Sequence, residues 1–217
     1  MLDLQIKSDK SSCLRIGNKF RSYSKLIISN NKLLDWVSES KYLGIFIKSG
    51  CKFACNWQSA RSNFYKSFNG ILGVLGHNPS IDVVLTLTRT NCIPVLNYGT
   101  ETTPLTDSEL RSFSYAYNSI FCKLFKSNDI HVIEQCQYHC GFLPFYALYD
   151  YHRYVFLVGQ FRIGLIRDKN VFSQADFKDL KSIAVKYNFN FADSKSYLMY
   201  KVWKLVESSI CSTSVNF

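Results

Sequence analysis

Eight cysteines and four histidines are the residues of this 217-residue chain best suited to metal binding or nucleophilic work. Two cysteine pairs share a C-x3-C spacing, Cys51/Cys55 and Cys136/Cys140, and the second has His131, His139 and His152 nearby in sequence. Residues i and i+4 of a helix share a face, so a zinc site is geometrically open to them. Neither pair has the C-x2-C turn of a zinc knuckle, and no second pair follows at a finger spacing. The plainer reading is reduced core thiols. It agrees with a start, MLDLQIKSDK, that has no apolar signal-peptide stretch. An intracellular protein, cytoplasmic or nuclear, is therefore expected. No G-x-S-x-G elbow, Gly-rich phosphate loop or H-E-x-x-H motif occurs. Asp3 and Asp9 lie on a segment too short to judge, and lone histidines such as His77 are read as core or surface residues.

Charge points elsewhere. The formal net charge is +10, and residues 1–76 hold twelve Lys/Arg against four Asp/Glu, so +8 of it lies in the first third. Positive charge concentrated in this way suits a polyanion, nucleic acid before membrane. A solubilising surface is the bland alternative. The best apolar run, Tyr154 to Ile166, is short and contains Arg162, which reads as a core helix and not a membrane span.

The elements that would position these charges divide into two kinds. The first fifty residues read as strands: "CLRIG", "KLIIS", then "KLLDWV" after an Asn30-Asn31 turn signal. "ESKYLGIFIKSG" at 39–50 reads as a half-buried strand with Lys41 and Lys48 at its ends and Gly44 in its middle. That glycine marks either a bulge or a close backbone approach. From Lys52 the period becomes helical, with Phe53, Trp57, Ala60, Phe64, Phe68, Ile71 and Leu75 within an arc of roughly 80°. Lys52, Ser59, Asn63 and Lys66 cluster on the far side, and no acidic residue occurs between Lys52 and Gly76. Gly76 and "HNPS" end this helix. Further helices are predicted near 80–98, 107–126, 130–140, 144–166, 173–188 and 194–209. Thr106 with Glu109 and Ser173 with Asp176 have capping-box spacing. The predicted fold class is α+β: a small antiparallel β-rich N-terminal segment, then a mainly α-helical body.

Three longer patterns occur in a recognisable order: "LDLQIKSDKSSCLRIG" at 2–17, "WVSESKYLGIFIKSG" at 36–50 and "NCIPVLNYGTETTPLT" at 91–106. They resemble the C-terminal part of the reverse transcriptase of non-LTR, LINE-type (jockey-like) retrotransposons, and "SIFCKLFKSNDIHVIEQCQYHCGF" at 119–142 is similar to the tail of those proteins. The resemblance covers roughly residues 2–150. It implies an end of palm and primer-grip strands over 1–51, a helical thumb-like domain over 52–150, and a C-terminal helical extension over 151–217. Lys10 matches the lysine of a turn just after the catalytic palm strand, although Lys7 stands where the family has asparagine. Lys41-Tyr42-Leu43-Gly44 matches the primer-grip segment. The helix from Phe53 matches the thumb helix along the template–primer duplex, and Tyr98 and Glu101 match thumb scaffold.

What the resemblance implies is therefore a fragment of an RNA-directed DNA polymerase, a nucleotidyltransferase, that contacts an RNA/DNA template–primer. The nucleic-acid-binding set would be Lys10, Lys41, Tyr42, Gly44, Lys48, Lys52, Ser59, Asn63 and Lys66, with Tyr42 and Trp57 packing or stacking. The family uses Mg2+ held by aspartates, one pair in an aromatic-x-D-D hairpin. No Asp-Asp dipeptide occurs here, so no cofactor, no catalytic residue and no metal site is expected in this chain, nor primer extension by it alone. The missing palm and fingers are a possible partner, and a membrane is not. Two alternatives stand beside this reading: a retrotransposon-derived helical adaptor presenting Phe142, Phe145, Tyr146, Tyr149 and Tyr151 to a protein partner, and a remnant without function.

Overall fold

Short alternating segments and long 3.6-period segments separate along this chain, and the fold follows that division. The computed structural model describes residues 7, 10–22, 27–29, 32–76, 79–167 and 173–214. Asp3, Asp9, the Asn30-Asn31 turn and His77 lie outside the described residues. The chain is mixed α+β, with a small three-stranded antiparallel sheet and mostly helix. It divides into two compact units, residues 1–59 and 60–217.

In the first unit β1 (Ile27–Ser29) pairs antiparallel with β2 (Lys32–Leu34). Three more strands, β3 (Glu39–Tyr42), β4 (Ile45–Lys48) and β5 (Ala54–Asn56), form the antiparallel sheet in the order β3-β4-β5. The "CLRIG" segment makes no strand of its own. Cys13 and Ile16 form single parallel bridges to Trp36 and Gly50, with Cys13 bonded to the backbones of Asp35 and Val37 at 2.8 and 2.9 Å.

The expectation of one strand across 39–50 is corrected. Tyr42 pairs with Ile45, so Leu43 and Gly44 form a two-residue hairpin loop, with φ of 47° and 84°. Positive φ at both positions is the type I′ turn, whose twist matches that of the flanking strands. Gly44 therefore turns the chain and does not interrupt a strand.

The first helix is also corrected. It runs as α1 (Gln58–Leu75), not from Lys52 or Phe53. Ladder pairing of Ala54 with Lys48 and Asn56 with Phe46 claims residues 54–56 for the sheet. Asn56 Oδ1 then accepts from the Gln58 N–H at 3.1 Å, satisfying one of the orphan donors of the helix start. Gly76, at φ 71°, donates its N–H to the Leu72 carbonyl and closes the helix.

The remaining helices match the periodicity closely: α2 (Ile81–Leu87), α3 (Ile93–Asn97), α4 (Asp107–Phe125), α5 (Ile130–His139), α6 (Phe145–Arg167), α7 (Gln174–Tyr187) and α8 (Lys195–Ser214). Both capping boxes form, Thr106 with Glu109 and Ser173 with Asp176. Between α2 and α3 the helix widens into a π-helical turn at Thr88–Cys92. Pro94 lies two residues beyond it, and because proline lacks an N–H and crowds the preceding turn, a wider turn accommodates it without breaking the helix. Arg89 of that turn donates to the Gly141 carbonyl at 2.8 Å and covers the Phe142 ring at 4.4 Å, tying it to the end of α5.

Aromatic packing holds the second unit. Phe64, Phe68, Phe113, Tyr117, Phe121 and Phe145 are all buried, with Phe113 and Phe145 stacked at 5.4 Å. A second cluster joins α6, α7 and α8 through Tyr154, Leu157, Leu180, Tyr187, Leu198 and Val202. Beside it the buried Arg153 bonds the Glu101 carbonyl at 2.7 Å, Asp176 at 2.8 Å and Asp179 at 3.2 Å. No described helix is long and apolar enough to cross a membrane.

Candidate nucleic-acid interface

Pleat alternation decides which residues of the hairpin meet. Successive side chains of a strand point to opposite faces, and directly paired residues share one. Glu39 pairs with Lys48 and Lys41 with Phe46, so Lys41 and Lys48 lie on one face together, with Phe46 and Glu39 beside them. Both lysines are exposed, and Lys41 Nζ sits 5.6 Å from the Phe46 ring centroid. Lys48 has no partner group among the described residues. Glu39 reduces the charge of this face, and its Oε1 is buried without a hydrogen-bond partner.

Tyr42 takes the opposite face, with Ser40, Ile45, Ile47 and the buried Cys55. It stands 64% exposed at the hairpin end, so its ring is accessible but not beside the two lysines. Trp57 is only 4% exposed, which removes it as a stacking platform. Lys10 is exposed, its N–H held by the Lys7 carbonyl at 3.1 Å. Lys52 is exposed in the loop before β5 and so is not part of the helix that carries Ser59, Asn63 and Lys66.

Those three do lie together on α1, at i, i+4 and i+7. Asn63 and Lys66 are exposed and Ser59 is half-buried, opposite the buried Phe64 and Phe68. The same outer face carries Gly70 and Gly73, where an added Cβ would meet nothing within 4 Å. It is an acid-free, small-residue surface with a single cation. The helix's other cation, Arg61, turns inward to hydrogen-bond Ser112 of α4. Farther along, Lys123 of α4 donates to Asn69 Oδ1 at 3.0 Å, so α1 and α4 run side by side in the same direction.

Sequence reasoning missed one basic feature of the first unit. Arg15 donates to the Ser22 carbonyl at 2.8 Å and covers Trp36 at 4.8 Å, pinning a loop on which Lys19 and Arg21 are exposed. A Gly17-Asn18 turn signal inside a run of basic residues was the cue available.

Metal chemistry gains no support from the described side chains. No three His, Cys, Asp or Glu groups among them converge as a cation site, and all eight cysteines are unpaired. Cys51 is exposed whereas Cys55 is buried, so the first pair does not share a surface. Burial pushes the Cys136 and Cys140 thiols up, away from the thiolate that a metal needs. The aromatic residues of the adaptor reading are also accounted for. Phe142, Phe145, Tyr149 and Tyr151 are buried and Tyr146 is half-buried under Lys186, so they form core and not a docking surface. No protein-family model, curated protein or solved structure matches the chain.

Proposed function

We infer that this chain is the non-catalytic, C-terminal part of a non-LTR retrotransposon reverse transcriptase, and that it contacts the phosphate backbone of an RNA/DNA template–primer. The observation that carries this reading is the placement of the exposed Lys41 and Lys48 on one face of the 39–48 hairpin, beside Glu39. It sits in a sequence segment that resembles the family's primer grip. The acid-free outer face of α1, with Asn63 and Lys66, supports a second set of backbone contacts in the thumb-like unit. Small residues there allow a sugar–phosphate chain to approach the helix, and cations supply the sequence-independent attraction typical of such contacts. Gly44 enters this reading as the hairpin's turn residue and Trp57 as core. Polymerisation is not part of the proposal. The sequence contains no Asp-Asp dipeptide of the kind the family uses to hold its metal ions.

The test is fluorescence anisotropy of the full chain with a labelled RNA–DNA hybrid across a salt series. Three phosphate contacts predict an affinity loss of about 40-fold between about 50 and 200 mM salt. Lys41→Glu/Lys48→Glu should weaken binding at least about tenfold and flatten that salt slope. A hybrid affinity indifferent to both salt and charge reversal would sink the proposal.

A further inference from the structure

We propose that the C-terminal extension carries its own site for an unpaired nucleotide of single-stranded nucleic acid, in the cleft between the end of α7 and the outer face of α8. Residues 197, 200, 201, 204 and 205 fall on one side of α8, flanking the core stripe of Leu198, Val202 and Val206. The cleft has a volume of about 380 Å³ and a largely apolar lining. Tyr197 and Tyr200 are 50% and 56% exposed, with ring centroids 6.0 Å apart and ring planes 15° from parallel. Lys201 Nζ lies 4.7 Å from the Tyr197 ring centroid, so Tyr200, backed by Tyr197, offers the exposed π face of the kind on which nucleobases stack.

Charge complementarity names the occupant. Lys186, Lys201 and Lys204 all line the cleft. Lys201 is bound to Asp193 and the Asn188 carbonyl, and Lys186 to Asp150, which leaves the exposed Lys204 without a partner group among the described residues. Three cations against two carboxylates leave the rim positive. Glu207, the one acidic residue of α8, already accepts a hydrogen bond from the Tyr138 hydroxyl. A planar, apolar ring linked to an anion satisfies both halves of this surface, with the base on Tyr200 and the phosphate at Lys204. The site lies wholly within the second unit and does not depend on the hairpin.

The test compares a labelled 12-nucleotide single strand with an abasic strand of the same length, by anisotropy on the full chain in which Lys41→Gln/Lys48→Gln silences the hairpin. Tyr197→Ala/Tyr200→Ala should weaken binding of the base-containing strand about 5- to 100-fold and leave the abasic strand unchanged. Tyr200→Phe should keep affinity within about twofold, since the ring is retained. Lys204→Gln should weaken both strands alike. Unfolding midpoints in urea equal to that of the parent chain show that the exposed substitutions leave folding intact. Equal affinity for the two strands, an alanine variant that binds like its parent, or no single-strand binding at all would each overturn the site. None of these results bears on hybrid binding through Lys41 and Lys48.

Discussion

At the scale of single residues, the sharpest energetic statement concerns Arg153. Burying a guanidinium costs several kcal/mol unless its donors are met. Here four acceptors meet the two terminal nitrogens, the carbonyls of Glu101 and Thr102 and the carboxylates of Asp176 and Asp179, while Nε is buried without a partner. Asp176 does double duty, because its other oxygen closes the capping box with Ser173. Arg153→Met should therefore cost roughly 2–3 kcal/mol, read as a lowered urea midpoint at constant slope. Asp179, 40% exposed, can rehydrate, so Asp179→Asn should cost less than about 1 kcal/mol. Arginine's partners lie 23 to 52 residues away, and nothing local in "YHRYVF" announces them.

At the scale of elements, the hairpin rests on an uncommon turn. Leu43 occupies a positive-φ position where asparagine is the usual choice, and Gly44 follows at φ 84°. Leu43→Asn should stabilise the first unit by about 0.5–1 kcal/mol, because asparagine reaches this conformation at lower cost than leucine. Gly44→Val should destabilise it by about 1–2 kcal/mol, since a β-branched side chain resists positive φ. Urea midpoints of the two variants check both signs, and a neutral Gly44→Val would contradict the turn assignment. Leu-Gly is a weak turn signal compared with Asn-Gly, which is why 39–50 reads as one strand in the sequence. The difference between the expected and observed start of α1 has a related reason. Phe53 and Trp57 happen to fall on the helical period of Phe64 and Phe68, whereas the pairing of β5 with β4 reserves residues 54–56 for the sheet. Both capping boxes, in contrast, are fully local, and their i+3 spacing is visible in the letters.

For the whole molecule, titration links burial to stability. Burial pushes the His152 imidazole below its ordinary value near 6.5, with Glu101 pulling partway back. The unfolded chain therefore takes up this proton first, and stability falls as pH drops below about 6.5 until the folded pKa is reached. The Lys201 partner holds Asp193 below its ordinary value of 3.8, so that contribution is present above 3.8 and is lost as pH falls further. Glu134 works the other way. Its carboxyl is raised above 4.5 by burial, so stability recovers somewhat as pH falls toward 4.5. Urea midpoints should decline from pH 7.5 to 5.5, and His152→Gln should flatten that decline. An unchanged slope in the variant would remove His152 from the account. What the sequence by itself determined is everything encoded within a few residues: the helical body with its caps, the β-rich start, and the crowding of positive charge into the first third. Only the tertiary structure decided which of those charges share a face, because strand register sets faces. Register joins Lys41 to Lys48, sends Tyr42 to the other side and leaves Lys52 off the helix. The same holds in the tail, where packing buries Tyr149 and Tyr151 yet leaves Tyr197 and Tyr200 in the open. Composition counts aromatic rings, but only the packing of one helix on another determines which of them meet water.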